Sequence, residues 1–157
     1  MRTKEKDTQA GIFVWRIDVE GKRKEKSMTT LNKFCNLNFT TLFDAKIPGY
    51  YIRNLREEIE FERSFMSQIL GIKRTAYFNV LKRKSLDVSQ VDVLSNFAKV
   101  YRQGLEAFEN DADDLEMFLN RENQNLGNIK PKELLFTESG RRALSKAFDR
   151  IKYGSYG

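Results

Sequence analysis

Apolar residues first recur at helical spacing at Leu31, Phe34 and Cys35, with Phe39, Leu42 and Phe43 close behind. Pro48-Gly49 breaks that pattern and another begins at once, with Ile52, Leu55 and Ile59 on one face of residues 50–59. Residues 62–70 carry Phe65, Met66, Ile69 and Leu70 in the same way, and Gly71 stands where a glycine ends a helix. A shorter helix is predicted over residues 74–82. Asp87 or Ser89 can then cap a longer one, whose buried stripe is Val91, Leu94, Phe97, Ala98, Tyr101 and Leu105.

The last third continues in the same register. Asp111, Asp113 and Asp114 sit where the N-terminus of a helix favours negative charge, and Leu115, Phe118 and Leu119 form that helix's apolar face. A polar loop with Gly127 follows, then Pro131 at a helix start with Leu134-Leu135 behind it. A final amphipathic helix from Gly140 to residue 151 points Ala143, Leu144, Ala147, Phe148 and Ile151 inward. Only residues 12–19 (IFVWRIDV) depart from this period, reading as a short strand or an apolar strip packed on the body. Lys22-Arg23-Lys24-Glu25-Lys26 reads as a solvated loop, or as a basic arm touching phosphates, and residues 1–10 as a polar, mobile start. The expectation is an all-α fold in three stretches: an N-terminal extension (1–40), a helical bundle (41–104) and a small C-terminal helical domain (105–157).

Composition narrows the function classes. The chain has no histidine, which removes the commonest general base and most zinc sites. Glu57-Glu58 and Glu60 with Glu62 lie among ordinary surface positions, and the acidic cluster near Asp111 lacks the spacing of a calcium loop. A binding protein without cofactor or metal is therefore expected, not an enzyme. The lone cysteine and the lack of a leader or membrane-length apolar run suit a cytoplasmic protein. The net charge of +6 is uneven: residues 1–46 and 47–104 each hold 10 basic against 6 acidic groups, whereas residues 105–157 hold 8 against 10. Such a division fits nucleic acid at one end and a protein partner at the other, or simply a solvated surface.

The spacing around Gly71 describes a helix-turn-helix. Small Ser67 lies where the helices cross, Ile72 follows the turn, and Tyr77 and Val80 face inward. Lys73, Arg74, Thr75, Phe78, Asn79 and Lys82 then face outward, with Arg83 and Lys84 at the helix end. The cations suit phosphates, while Asn79 can pair with an adenine edge and Arg74 with guanine. The candidate DNA-binding residues are thus Lys73, Arg74, Thr75, Asn79, Lys82 and Arg83. Phe78 would touch a thymine methyl or mark a protein interface.

One ordered set is more specific. Ala107-Phe108, LEMFL at 115–119, Asn123 with Leu126-Gly127, Pro131-x-x-Leu134-Leu135, Thr137, Gly140 and Arg150-Ile151-Lys152-Tyr153-Gly154 together resemble the toxin-binding domain of the Xre/MbcA/ParS antitoxins. The likeness runs over roughly residues 40–154 and includes the Ile47-Pro48-Gly49 lead-in. Phe118 stands where that family has tryptophan, Glu122 where it has proline, and Ala76 and Asn79 where it has a threonine and a basic residue. The resemblance implies an Xre-like helix-turn-helix bundle and a homodimer formed through the N-terminal half. It also implies a RES-domain, NAD-consuming toxin as partner and repression of the chain's own operon through operator DNA. The C-terminal segment would cover the toxin's active site, with Arg150, Ile151, Lys152, Tyr153, Gly154 and Tyr156 as contacts. An aromatic at a chain end with neighbouring cations suits such a plug, since tyrosine offers area and a hydroxyl. Two rivals stand beside it: a helix-turn-helix transcription regulator with no toxin partner, and a scaffold protein that never touches DNA.

Overall fold

The computed structural model describes residues 11–154. Residues 1–10 and 155–157, including Tyr156 and the start expected to be mobile, lie outside the described residues. The chain enters through an antiparallel hairpin, β1 (Phe13–Ile17) and β2 (Arg23–Ser27), with Phe13 opposite Ser27 and Ile17 opposite Arg23. Six helices follow: α1 (Thr29–Cys35), the single-turn α2 (Phe39–Leu42), α3 (Tyr51–Ile59), α4 (Arg63–Leu70), α5 (Arg74–Leu81) and the long α6 (Val88–Ala107). Then come α7 (Ala112–Asn120), two 3-10 turns (Gln124–Leu126 and Pro131–Phe136) and α8 (Glu138–Lys152).

The fold is mostly helical, yet the hairpin corrects the all-α expectation. Residues 12–19 do supply a strand, and the basic run pairs with it instead of looping away. The Asp18 carboxylate accepts from Glu20 N (2.9 Å) and Lys22 N (2.8 Å), closing a turn ahead of Arg23 that local charge gave no reason to expect. Every residue of β2 is exposed, so the run is solvated all the same.

α6 is the axis of the molecule. Its buried stripe includes all six residues read from the periodicity and adds Ser95, Val100 and Gly104. α1 packs on one side of it and α8 on another. Leu31 and Phe34 of α1 are wholly buried; the Phe34 carbonyl accepts from Ser95 Oγ (3.0 Å), and Cys35 Sγ donates to the Ala98 carbonyl (3.3 Å). Each such fully buried leucine or phenylalanine contributes about 1.5–3 kcal/mol. A single apolar core runs from Ile12 to Phe148. The helix crosses the 104/105 division without a break, and residues 12–35 share the core with everything downstream.

Caps decide where the elements begin. Gln90 reaches back to accept from Asp87 N (3.1 Å), making Asp87 the start of α6. Met28 offers α1 no side-chain cap, and Glu58 of α3 takes that role by accepting from Thr30 N (2.7 Å) and Leu31 N (2.9 Å). Gly49 N donates to the Arg83 carbonyl at 2.9 Å, bringing the Ile-Pro-Gly segment against the end of α5. A Cβ at position 49 would stand 2.0 Å from the Val80 carbonyl oxygen, so only glycine fits.

Three further features differ from the periodic reading. Phe39 and Phe43 are largely exposed (80% and 62%) because α2 is only a capped turn, and they stack edge to face on each other. Ala143 faces solvent, while Arg141 is buried in its place. The segment after Pro131 is 3-10 instead of α-helical. Among the described residues no helix is long and apolar enough to cross a membrane.

Candidate functional site

The C-terminal third is assembled from the last turns of α6, then α7, the two 3-10 turns and α8. Asp111 caps α7 by accepting from Asp113 N (3.0 Å) and Asp114 N (3.1 Å), and Asp113 and Asp114 complement the helix dipole in its first turn. The neighbouring charge of Asp111 pushes the Asp114 carboxyl above its ordinary value. Among the described residues no group of acidic or cysteine side chains could hold a metal ion.

Beyond α7, Asn123 organises the polar loop. Its side chain accepts from Asn125 N (2.8 Å), its N–H donates to the Ile129 carbonyl (3.0 Å), and Gly127 turns the chain at φ 83°. Thr137 caps α8 by accepting from Gly140 N (3.0 Å). Arg141, on the first turn of α8, donates through Nη1 to the Leu135 carbonyl (2.9 Å) and through Nε to Asn96 Oδ1 on α6. Burial holds its pKa below the ordinary arginine value, against the pull of Glu138 and Asp92. These contacts fix the angle at which α8 leaves the body.

At the far end of α8 the helix hands over to the C-terminal segment. Ile151 is half-buried on the core, and Arg150 points to solvent. Lys152 Nζ lies 3.5 Å from Glu106 Oε1 on α6 and 5.6 Å from the centre of the Tyr153 ring. Tyr153 is 73% exposed, and Gly154 adopts φ 71°. Beside this end, Phe108, Asp114, Met117, Phe118, Arg121 and Glu122 line a shallow groove of about 280 Å³. Met117 is exposed there although it sits next to the apolar face of α7.

Residues 103–154 match the antitoxin Xre/MbcA/ParS C-terminal toxin-binding domain. The match starts inside α6 and ends at Gly154, and it supports an antitoxin role. No curated protein matches the chain. Within the matched stretch the motif residues divide by task. Asn123, Gly127, Pro131, Thr137 and Gly140 build loops and caps, whereas Arg150, Lys152, Tyr153 and Gly154 are exposed at the chain's end, with Ile151 as their footing on the core. Sequence reasoning missed Arg141 and Met117. Arg141 stands three residues before Leu144, on the same helical face, and no local pattern marked it or Met117.

The N-terminal hairpin also belongs to this domain's surroundings. Trp15 N donates to the Asn110 carbonyl (3.0 Å) and Ile17 N to Asp113 Oδ2 (2.9 Å). Arg16 joins three elements, with Nη1 2.9 Å from Asp113 and 3.6 Å from Glu116, and Nε 3.3 Å from Glu60 at the end of α3. Burial works to lower its pKa, but Glu60, Glu116 and Asp113 outweigh it and hold the guanidinium above its ordinary value.

The second candidate surface lies on α4 and α5. The pair meets across Gly71, at φ 68°, with Ser67, Tyr77 and Val80 buried between them. Lys73, Arg74, Thr75, Asn79, Lys82 and Arg83 are all exposed, so the register read from sequence places each outward. They are not equivalent. Arg83 is paired with Asp87 at 2.6 Å, which partly neutralises it. Phe78, 53% exposed, carries the Arg63 guanidinium 5.5 Å above its ring.

Proposed function

We propose that the chain is a cytoplasmic, homodimeric antitoxin that neutralises a RES-domain, NAD-consuming toxin by covering its active site with the C-terminal segment. The observation that carries this reading is the match of residues 103–154 to a toxin-binding domain whose last helix presents Tyr153 to solvent from a fixed base. Ile151 and the Lys152–Glu106 pair hold that base, so an aromatic anchor can enter a cleft without ordering the helix behind it. Arg150 and Lys152 would meet acidic groups, or lie where the phosphates of NAD normally bind. Binding, and not catalysis, is the whole mechanism. The α4–α5 pair would act as an Xre-like helix-turn-helix through which the antitoxin represses its operon, with Lys73, Arg74, Thr75, Asn79, Lys82 and Arg83 towards operator DNA.

Co-expression with the neighbouring toxin gene tests the reading. The full-length chain should rescue growth and co-purify, and a form truncated after Asp149 should fail to neutralise while keeping its helical circular dichroism. Tyr153→Ala, which removes only an exposed side chain, should weaken neutralisation with stability unchanged. Rescue by the truncated form would discard the plug and keep the antitoxin. Failure of both forms to bind or protect would leave the alternative, a transcription regulator without a toxin partner, which the exposed basic face of α5 independently favours.

A further inference from the structure

Between α3, α4 and α5 lies an open cleft of about 450 Å³ whose lining includes Arg56, Glu62, Arg63, Ser64, Arg74 and Tyr77. Three arginines face one carboxylate. Arg63 and Arg74 are the first residues of α4 and α5, and neither helix has a side-chain cap, so both N-terminal dipole ends border the same space. The Arg63 guanidinium lies 5.5 Å over the exposed Phe78 ring. Two of these lining side chains meet at the inner wall, where Tyr77 Oη and Arg56 Nε are buried and the Arg56 side chain is the polar group beside the phenol. Burial pushes the Tyr77 phenol up against the opposing pull of Arg56, Arg63 and Arg53. Arg56 itself spends one guanidinium nitrogen on the Phe61 carbonyl (3.2 Å) and lies 3.8 Å from Glu57 through another.

We propose that this cleft is a phosphate-binding site, in which Arg63, Arg74 and Ser64 hold a phosphoryl group over the Arg56 guanidinium. Planar guanidinium forks from more than one helix suit the tetrahedral oxygens of phosphate, as do the unpaired N–H groups at two helix starts. Arg56, Arg63 and Ser64 thereby join a surface that the outward face of α5 alone does not include. The phosphate can come from the DNA backbone, in which case the inference rests on the operator-binding reading, or from a soluble phosphate compound, in which case it does not.

The test uses the full chain labelled with ¹³C on tyrosine. Inorganic phosphate should shift the Tyr77 Cζ signal saturably. Arg63→Gln should weaken that binding roughly tenfold, the loss expected for one charge-assisted contact, while Lys24→Gln, at a position that does not line the cleft, leaves it unchanged. A shift that never saturates, or equal affinity in Arg63→Gln, overturns the site. A second arm measures binding to duplex DNA against salt. A slope lower by about one in Arg63→Gln assigns the phosphate to the DNA backbone. An unchanged slope with a saturable phosphate response assigns it to a soluble compound. Phosphate binding in a chain that binds no DNA upholds the site and removes the operator reading.

Discussion

Cys35 shows how one buried atom ties stability to pH. Burial pushes its thiol up to about 11, with Arg102 and Lys99 pulling the other way, and Sγ is turned to the Ala98 carbonyl. The folded chain therefore keeps its proton where the unfolded chain, near pKa ~8.5, has lost it. The stability due to this site is present below that value and is lost as pH rises towards 11. Chemical denaturation should show the wild type losing more stability than Cys35→Ala between pH about 9 and 11, and the thiol should resist alkylation in the folded chain. Equal slopes would mean that the thiolate is accommodated after all. Gly49 makes a different point, because its Cβ-sized gap is filled by backbone. Gly49→Ala should cost about 2 kcal/mol or more by urea denaturation, through a forced shift of the α5 terminus; a loss under about 0.5 kcal/mol would show that the loop yields.

At the level of elements, the hairpin is the part the sequence disguised. The strand residues were legible from β-branching and aromatics at Ile12 to Trp15, but β2 reads as a charged loop because its side chains face water at every position. What makes it a strand is its partner and the Asp18 turn, neither of which a local pattern contains. Buried stripes of α3, α4 and α6 were readable because helical period and burial coincide there, whereas α2 looked equally apolar and buries nothing. The site divided likewise: exposed positions on α5 followed from its register, while Arg141 and the arginine cleft depend on which helices meet. Arg16→Gln should lower stability by about 1–3 kcal/mol, since Asp113, Glu116 and Glu60 lose a shared partially buried partner. Hydrogen exchange should rise first in β1 and the start of α7. Exchange unchanged in α7 would show that the hairpin is merely laid against it.

For the whole molecule, the stretch matched at residues 103–154 shares one apolar core with the residues before it. Its first residues are the end of a helix whose earlier turns bury Leu94, Phe97 and Ala98 against α1. Across the division, Lys132 sits 4.8 Å over the Phe61 ring and 4.9 Å over Phe65, and Phe136 packs on Phe65. A fragment of residues 103–157 should accordingly be largely unfolded by circular dichroism, while a chain beginning at Gly11 should melt cooperatively in one transition. A fragment with a sharp melt of its own would refute the shared core.

If the proposed toxin binding holds, the unbroken run of α6 bears on how such a protein could change partner by recombination. A crossover at 104/105 would splice two unrelated faces into one helix and mismatch every layer packed around it. The short stretch between α5 and α6 is a better seam, because Asp87 restarts the helix with its own cap. Even there a donor half would arrive without the Arg16 that its Asp113 and Glu116 require. On the proposed antitoxin reading, partner exchange would proceed by gradual substitution on the exposed C-terminal segment and not by the shuffling of whole modules.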